Sequence, residues 1–133
     1  LWWWEACNHS AGSLELVLNN IKLKVFKDQV ELAAASVSIF SDLLKTEGDK
    51  TFIVPGGSTP VLFYNYLAIE ELDLTGVKLI PSDERLVPED FPESNSGMIR
   101  KNLIKNIKGE NGPELVSIVN GNDPKKLIRL FHQ

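Results

Sequence analysis

Phe52-Ile53-Val54-Pro55-Gly56-Gly57-Ser58-Thr59-Pro60 is the stretch from which the rest of the chain is read. A short β-rich apolar run stops at a proline and two glycines. Ser58 or Thr59 is then placed to cap a helix with Pro60 at its first position. Glycines let a backbone approach a ligand closely, and the first N–H groups of a helix have no partner inside it. Strand, turn and helix start together therefore suit an anion. The helix terminus contributes only ~0.3–1 kcal/mol at an exposed site, so a phosphate needs further groups to hold it. The spacing fits neither the dinucleotide G-x-G-x-x-G pattern nor a Walker A loop, and no lysine follows. Gly57 sits directly before Ser58, which excludes the G-x-S-x-G nucleophile elbow. The bland alternative is a plain strand–helix turn.

Working outward, the segments on both sides alternate in type. Upstream, Ile21-Lys22-Leu23-Lys24-Val25-Phe26 alternates apolar and basic residues, as a half-buried edge strand does. Asp28 followed by Glu31 marks a capping-box-like start to a helix reaching Leu44 or Lys45. Val30, Ala33, Ala34, Val37, Phe40 and Leu44 fall on one face of it. Downstream, the helix from Pro60 carries Leu62, Phe63, Tyr66, Leu67 and Ile69, and Val77–Pro81 forms another apolar run that ends in Ser82-Asp83-Glu84-Arg85. A loop rich in proline and acid (Val87–Glu93) leads to Ser94-Asn95-Ser96-Gly97, which opens a helix through Met98, Ile99, Leu103, Ile104 and Ile107. Leu115–Val119 reads as a strand, and Asn122-Asp123-Pro124 starts a last helix with Leu127, Ile128 and Phe131 on one side.

Strands alternating with helices predict βαβ units, hence an α/β fold around an open, mainly parallel sheet with flanking helices. In such sheets ligands gather beyond the carboxyl ends of the strands. The Gly56–Pro60 loop and the Asp83–Arg85 loop both fall on that edge.

Composition narrows the classes. A chain of 133 residues with 43% hydrophobic content has the size of one modest domain. The formal net charge of −4 argues against nucleic acid as a partner. No apolar run approaches the ~18 residues of a membrane span, and no basic-then-apolar leader opens the chain. The single cysteine, Cys7, excludes an internal disulfide and fits a reducing, cytoplasmic setting. Residues 1–20, with Trp2-Trp3-Trp4 and the polar run Asn8–Ser13, read as an extension or linker; His9 is a polar residue within it. Residues 21–133 form the domain.

Three ordered stretches carry a resemblance. Gly56-Gly57-Ser58-Thr59-Pro60, Asp83-Glu84-Arg85-Leu86-Val87-Pro88 and Ser94-Asn95 resemble the motifs of the 6-phosphogluconolactonase family, over roughly Ile21 to the C-terminus. The resemblance implies a Rossmann-like sheet and hydrolysis of 6-phospho-glucono-1,5-lactone to 6-phosphogluconate in the pentose phosphate pathway, with no cofactor and no metal. It implies that Gly56, Gly57, Ser58 and Thr59 meet the sugar phosphate or its hydroxyls. Arg85 would supply a fixed positive fork to phosphate or oxyanion. Asp83 would orient the sugar in an auxiliary catalytic role, and Ser94 and Asn95 would cap their helix and shape the pocket wall.

Two departures stand out. Pro55 occupies a position where the family more often has a small residue. The family's catalytic histidine lies in a later Gly-x-Gly-x-Asp-Gly-His segment, and these residues contain no such segment; His132, after Leu130-Phe131, has no glycine turn before it. The chain therefore reads as an N-terminal, truncated part of the fold that lacks the main base. Two alternatives stay open: a non-catalytic phosphosugar- or partner-binding form, and a glucosamine-6-phosphate deaminase relative, against which Arg85 weighs. Individually, Asp83, Glu84 and Arg85 read equally well as a solvated loop ion pair, and Ser94 as a plain N-cap. A parallel sheet cut after its early strands exposes an apolar edge, which predicts self-association or marginal stability.

Overall fold

The computed structural model describes residues 14–18, 21–117 and 119. The expected last helix, His132, Cys7 and His9 lie outside the described residues. Three strands, β3 (Thr51–Val54), β4 (Lys78–Pro81) and β5 (Glu114–Leu115), form a sheet in the order β3-β4-β5 with both pairings parallel. The connections carry helices: α2 (Val61–Ile69) joins β3 to β4, and α3 (Asn95–Asn102), followed by a 3₁₀ turn at Ile104–Asn106, lies between β4 and β5. The α/β reading and the parallel sheet are both present.

Register explains where the loops emerge. Val54 lies opposite Pro81, and the Ser82 N–H donates to the Val54 carbonyl at 2.8 Å. The two strands thus end level, and the glycine loop and the Asp83 loop leave the same sheet edge side by side. β5 is shorter than the expected Leu115–Val119 strand, but the Val116 N–H still donates to the Leu79 carbonyl at 2.9 Å.

The helix α1 (Gln29–Leu44) starts as its sequence dictates. The Asp28 carboxylate accepts from the Val30 and Glu31 N–H groups at 2.9 and 3.0 Å, and the Glu31 carboxylate accepts from the Lys27 N–H. Ala33, Val37 and Phe40 face the core, whereas Val30, expected on that face, is exposed in the first turn. Phe40 packs on Phe52 with ring centroids 4.6 Å apart and meets Phe63 edge-on. Tyr64, Leu67, Leu74, Leu79, Ile99 and Leu103 are fully buried around this contact, so the core spans α1, α2, β4 and α3.

The N-terminal strands correct one point of the sequence reading, the half-buried edge strand expected at Ile21–Phe26. β1 (Leu14–Leu18) lies inside the stretch read as an extension, and it pairs antiparallel with β2 (Ile21–Val25) in a separate two-stranded sheet. All five residues of β2 are exposed, Ile21 by 68%, so β2 is not a half-buried edge of the main sheet. In this register Leu14, Leu16 and Leu18 stand opposite Val25, Leu23 and Ile21.

Candidate functional site

The glycine loop is tied down at its entry. The carbonyl of Pro55 accepts from the Tyr64 hydroxyl at 2.6 Å, and Tyr64 is wholly buried, which pushes its phenol up from the ordinary value. A Cβ at Gly56 would lie 2.1 Å from Asn95 Cγ, so only glycine fits. Gly57 has φ of +79°, in the left-handed region that glycine tolerates, and its N–H donates to Asn95 Oδ1 at 3.1 Å.

The loop then turns into α2 without the expected cap. The N-cap is Pro60, with φ of −83° and ψ of 0°, and no side chain bonds the helix start. Neither Ser58 nor Thr59 caps it, because a main-chain turn from the Ser58 carbonyl to the Val61 N–H, 3.3 Å, already closes this corner. Both side chains are left exposed beside the first turn.

The second loop behaves in the opposite way. Glu84 Oε1 accepts from the Arg85 and Asn95 N–H groups, both at 2.8 Å, and Oε2 accepts from the Ser96 N–H at 2.7 Å. Partial burial pushes the Glu84 carboxyl up, but hydrogen bonds from Ser96, Arg85 and Asn95 outweigh it and hold the group below the usual carboxylate range. Ser94 caps α3: its hydroxyl oxygen accepts from the Gly97 N–H at 3.0 Å, and the residue is buried. The loop ion pair considered for Asp83, Glu84 and Arg85 does not form, because the Glu84 carboxylate faces the α3 N–H groups. The exposed Arg85 guanidinium makes no hydrogen bond or ion pair to the described residues; only the Arg85 main chain is engaged.

Asn95 joins the two loops. Its Oδ1 takes the Gly57 N–H, while its Nδ2 donates to the Asp83 carbonyl at 2.9 Å and to Asp83 Oδ2 at 3.2 Å. Asp83 Oδ1 also accepts from the Ser82 hydroxyl. Of the residues singled out from sequence, Gly56, Gly57, Asp83 and Asn95 form one contiguous network, with Ser94 buried in the cap behind it. Ser58, Thr59 and Arg85 stand at the rim, their side chains without protein partners among the described residues. Sequence reasoning missed Glu84 as an anchor, since its partners are ten to twelve residues away and no local pattern announces them. A groove of about 790 Å³ lies elsewhere, lined by Phe91 of the acidic loop, Met98 of α3 and Lys105 of the 3₁₀ turn.

Residues 28–131 match the family model for glucosamine-6-phosphate isomerases/6-phosphogluconolactonase. A 6-phosphogluconolactonase from Treponema pallidum is 34% identical over 117 residues, covering 85% of this chain and 48% of its own length. One from Neisseria meningitidis is 36% identical over 75 residues, which is 56% of this chain and 32% of the relative. Among solved structures, a candidate 6-phosphogluconolactonase from Neisseria gonorrhoeae superposes with a TM-score of 0.67 at 25% identity, covering 78% of this chain and 48% of that one. The chain thus spans about a third to a half of the length of these relatives.

Proposed function

Because the chain belongs to the glucosamine-6-phosphate isomerase/6-phosphogluconolactonase family, we propose that its paired loops bind a phosphorylated sugar lactone, 6-phospho-glucono-1,5-lactone. The reaction served is hydrolysis to 6-phosphogluconate, in the cytoplasm and within the pentose phosphate pathway. The observation that carries this reading is the juxtaposition of the glycine loop and Asp83 at one sheet edge, bridged by Asn95. Ser58 and Thr59 offer main-chain and hydroxyl donors to the phosphate or sugar, while the Gly57 N–H is held by Asn95 Oδ1. Arg85 adds charge-assisted hydrogen bonds from the rim.

Lactone hydrolysis adds water to the ring carbonyl, passes through an oxyanion and breaks the ring C–O bond. A base must take the proton of the attacking water, and donors must meet the oxyanion. The Arg85 fork suits the second task or the phosphate. Asp83, accepting from Asn95 and Ser82, suits orientation of sugar hydroxyls. None of the described residues is assigned the role of principal base, so these residues by themselves bind without turning over. A phosphosugar-binding protein without catalysis is the second reading, favoured by the same observation. A deaminase relative fits Arg85 less well.

The test is hydrolysis of freshly generated 6-phosphogluconolactone by the purified chain, corrected for spontaneous opening, with calorimetric binding of 6-phosphogluconate alongside. The expected result is a background rate with measurable product binding that Arg85→Ala weakens. A rate above background that His132→Ala abolishes would overturn the reading that the principal base is missing from these residues. Absence of product binding would sink the phosphosugar reading itself. Self-association belongs to the same proposal: β3 is an outer strand among the described residues and exposes Ile53 by 74%. A monodisperse monomer by light scattering would remove it.

A further inference from the structure

Asn95 is only 8% exposed, and its amide is spent on the protein. The Gly57 N–H needs an acceptor, while the Asp83 carbonyl and carboxylate need donors. Only the orientation with Oδ1 toward Gly57 and Nδ2 toward Asp83 satisfies all three. Both N–H bonds of the amide are then used, and the space beside it is filled by the Gly56 backbone, where even a methyl group would overlap. No donor is left over to face a sugar. We propose that Asn95 is a positioning residue: it couples the conformation of the glycine loop to the placement of the Asp83 carboxylate. An anion that settles on the glycine loop therefore meets a carboxylate already aimed, and a disturbed Asp83 loosens the loop. The ligand's identity rests on the phosphosugar reading; the bridge does not.

The coupling is tested without ligand by amide hydrogen exchange at Gly57, read by NMR on the full chain. Asn95→Ala should raise Gly57 exchange about tenfold, the scale of one lost hydrogen bond. Asp83→Ala should raise it about threefold, since the residue-83 carbonyl still holds one Nδ2 hydrogen. The double variant should match Asn95→Ala alone, because Asp83 acts on Gly57 only through Asn95. Asp83→Asn, which keeps an oxygen for Nδ2, should restore protection. Unchanged Gly57 exchange in Asp83→Ala overturns the proposal, as does a double variant whose effects multiply. Asp83 is exposed, so this readout survives even where Asn95→Ala fails to fold. A second arm measures 6-phosphogluconate affinity in the same proteins, with the same non-additivity expected. Loss of binding in the unsubstituted chain, with the exchange pattern intact, would remove the phosphosugar reading and leave the bridge standing.

Discussion

Two helices begin at the same sheet edge, and they begin differently. α3 is saturated: Ser94 caps it, and the Glu84 carboxylate takes the N–H groups of Asn95 and Ser96. α2 starts at Pro60 with no side-chain cap at all. Both starts carry the same partial positive charge and the same unpartnered N–H groups. The chain has supplied its own anion to one of them and not to the other. Under the proposed function that contrast separates scaffold from site: α3 is fixed by a resident carboxylate, whereas the start of α2 has no side-chain cap.

The comparison can be broken at its strongest point first. Glu84→Ala should destabilise the fold by about 2–4 kcal/mol, because buried N–H groups lose an ionised acceptor; chemical denaturation measures it, and a change under ~0.5 kcal/mol, the scale of ordinary surface substitutions, would mean that α3 is not anchored this way. Gly56→Ala comes next, at about 1–3 kcal/mol, since its Cβ would overlap Asn95 and force the loops apart. A smaller, pH-dependent effect sharpens the contrast. The Glu84 carboxyl is held below its usual range in the folded state, so its contribution is in place above the unfolded value of ~4.3 and is lost as pH falls through the folded value. Glu84→Gln should therefore flatten the acid limb of a thermal-stability profile; an unchanged limb would assign it to other groups. Smallest of all, Arg85→Ala should leave stability within about 0.5 kcal/mol, because the guanidinium holds nothing in the described fold. A large loss there would move Arg85 from site to scaffold.

What was legible in the sequence follows the range of the forces involved. The stops at Pro55 and Pro81, the Asp28 start of α1 and the Ser94 cap of α3 are written in neighbouring residues, and they appear where that chemistry places them. Resemblance of three short motifs located the two loops and most of their residues. The double role of Asn95 was not readable, because β3–β4 register is what brings Gly57 beside Asp83, and Glu84 was not, because its partners at the start of α3 come close only when the intervening loop folds back. The α2 cap was misread for a local reason: a turn closed through the Ser58 carbonyl competes with a side-chain cap and placed Pro60 at the N-cap. β2 was misassigned because alternation specifies a strand and one apolar face, but not which sheet receives it.

The Tyr64 hydroxyl on the Pro55 carbonyl gives the molecule a particular response to alkali. Its phenol is pushed up by burial, so above about pH 10 the unfolded chain releases a proton that the folded chain retains. Rising pH thus draws the equilibrium toward unfolding through the residue that moors the entry of the glycine loop. A phenolate set against that carbonyl would be repelled, so ionisation of Tyr64 is coupled to loss of the mooring. An ultraviolet titration of Tyr66→Phe, in which Tyr64 is the tyrosine observed, run beside circular dichroism, should show tyrosinate appearing together with loss of the fold.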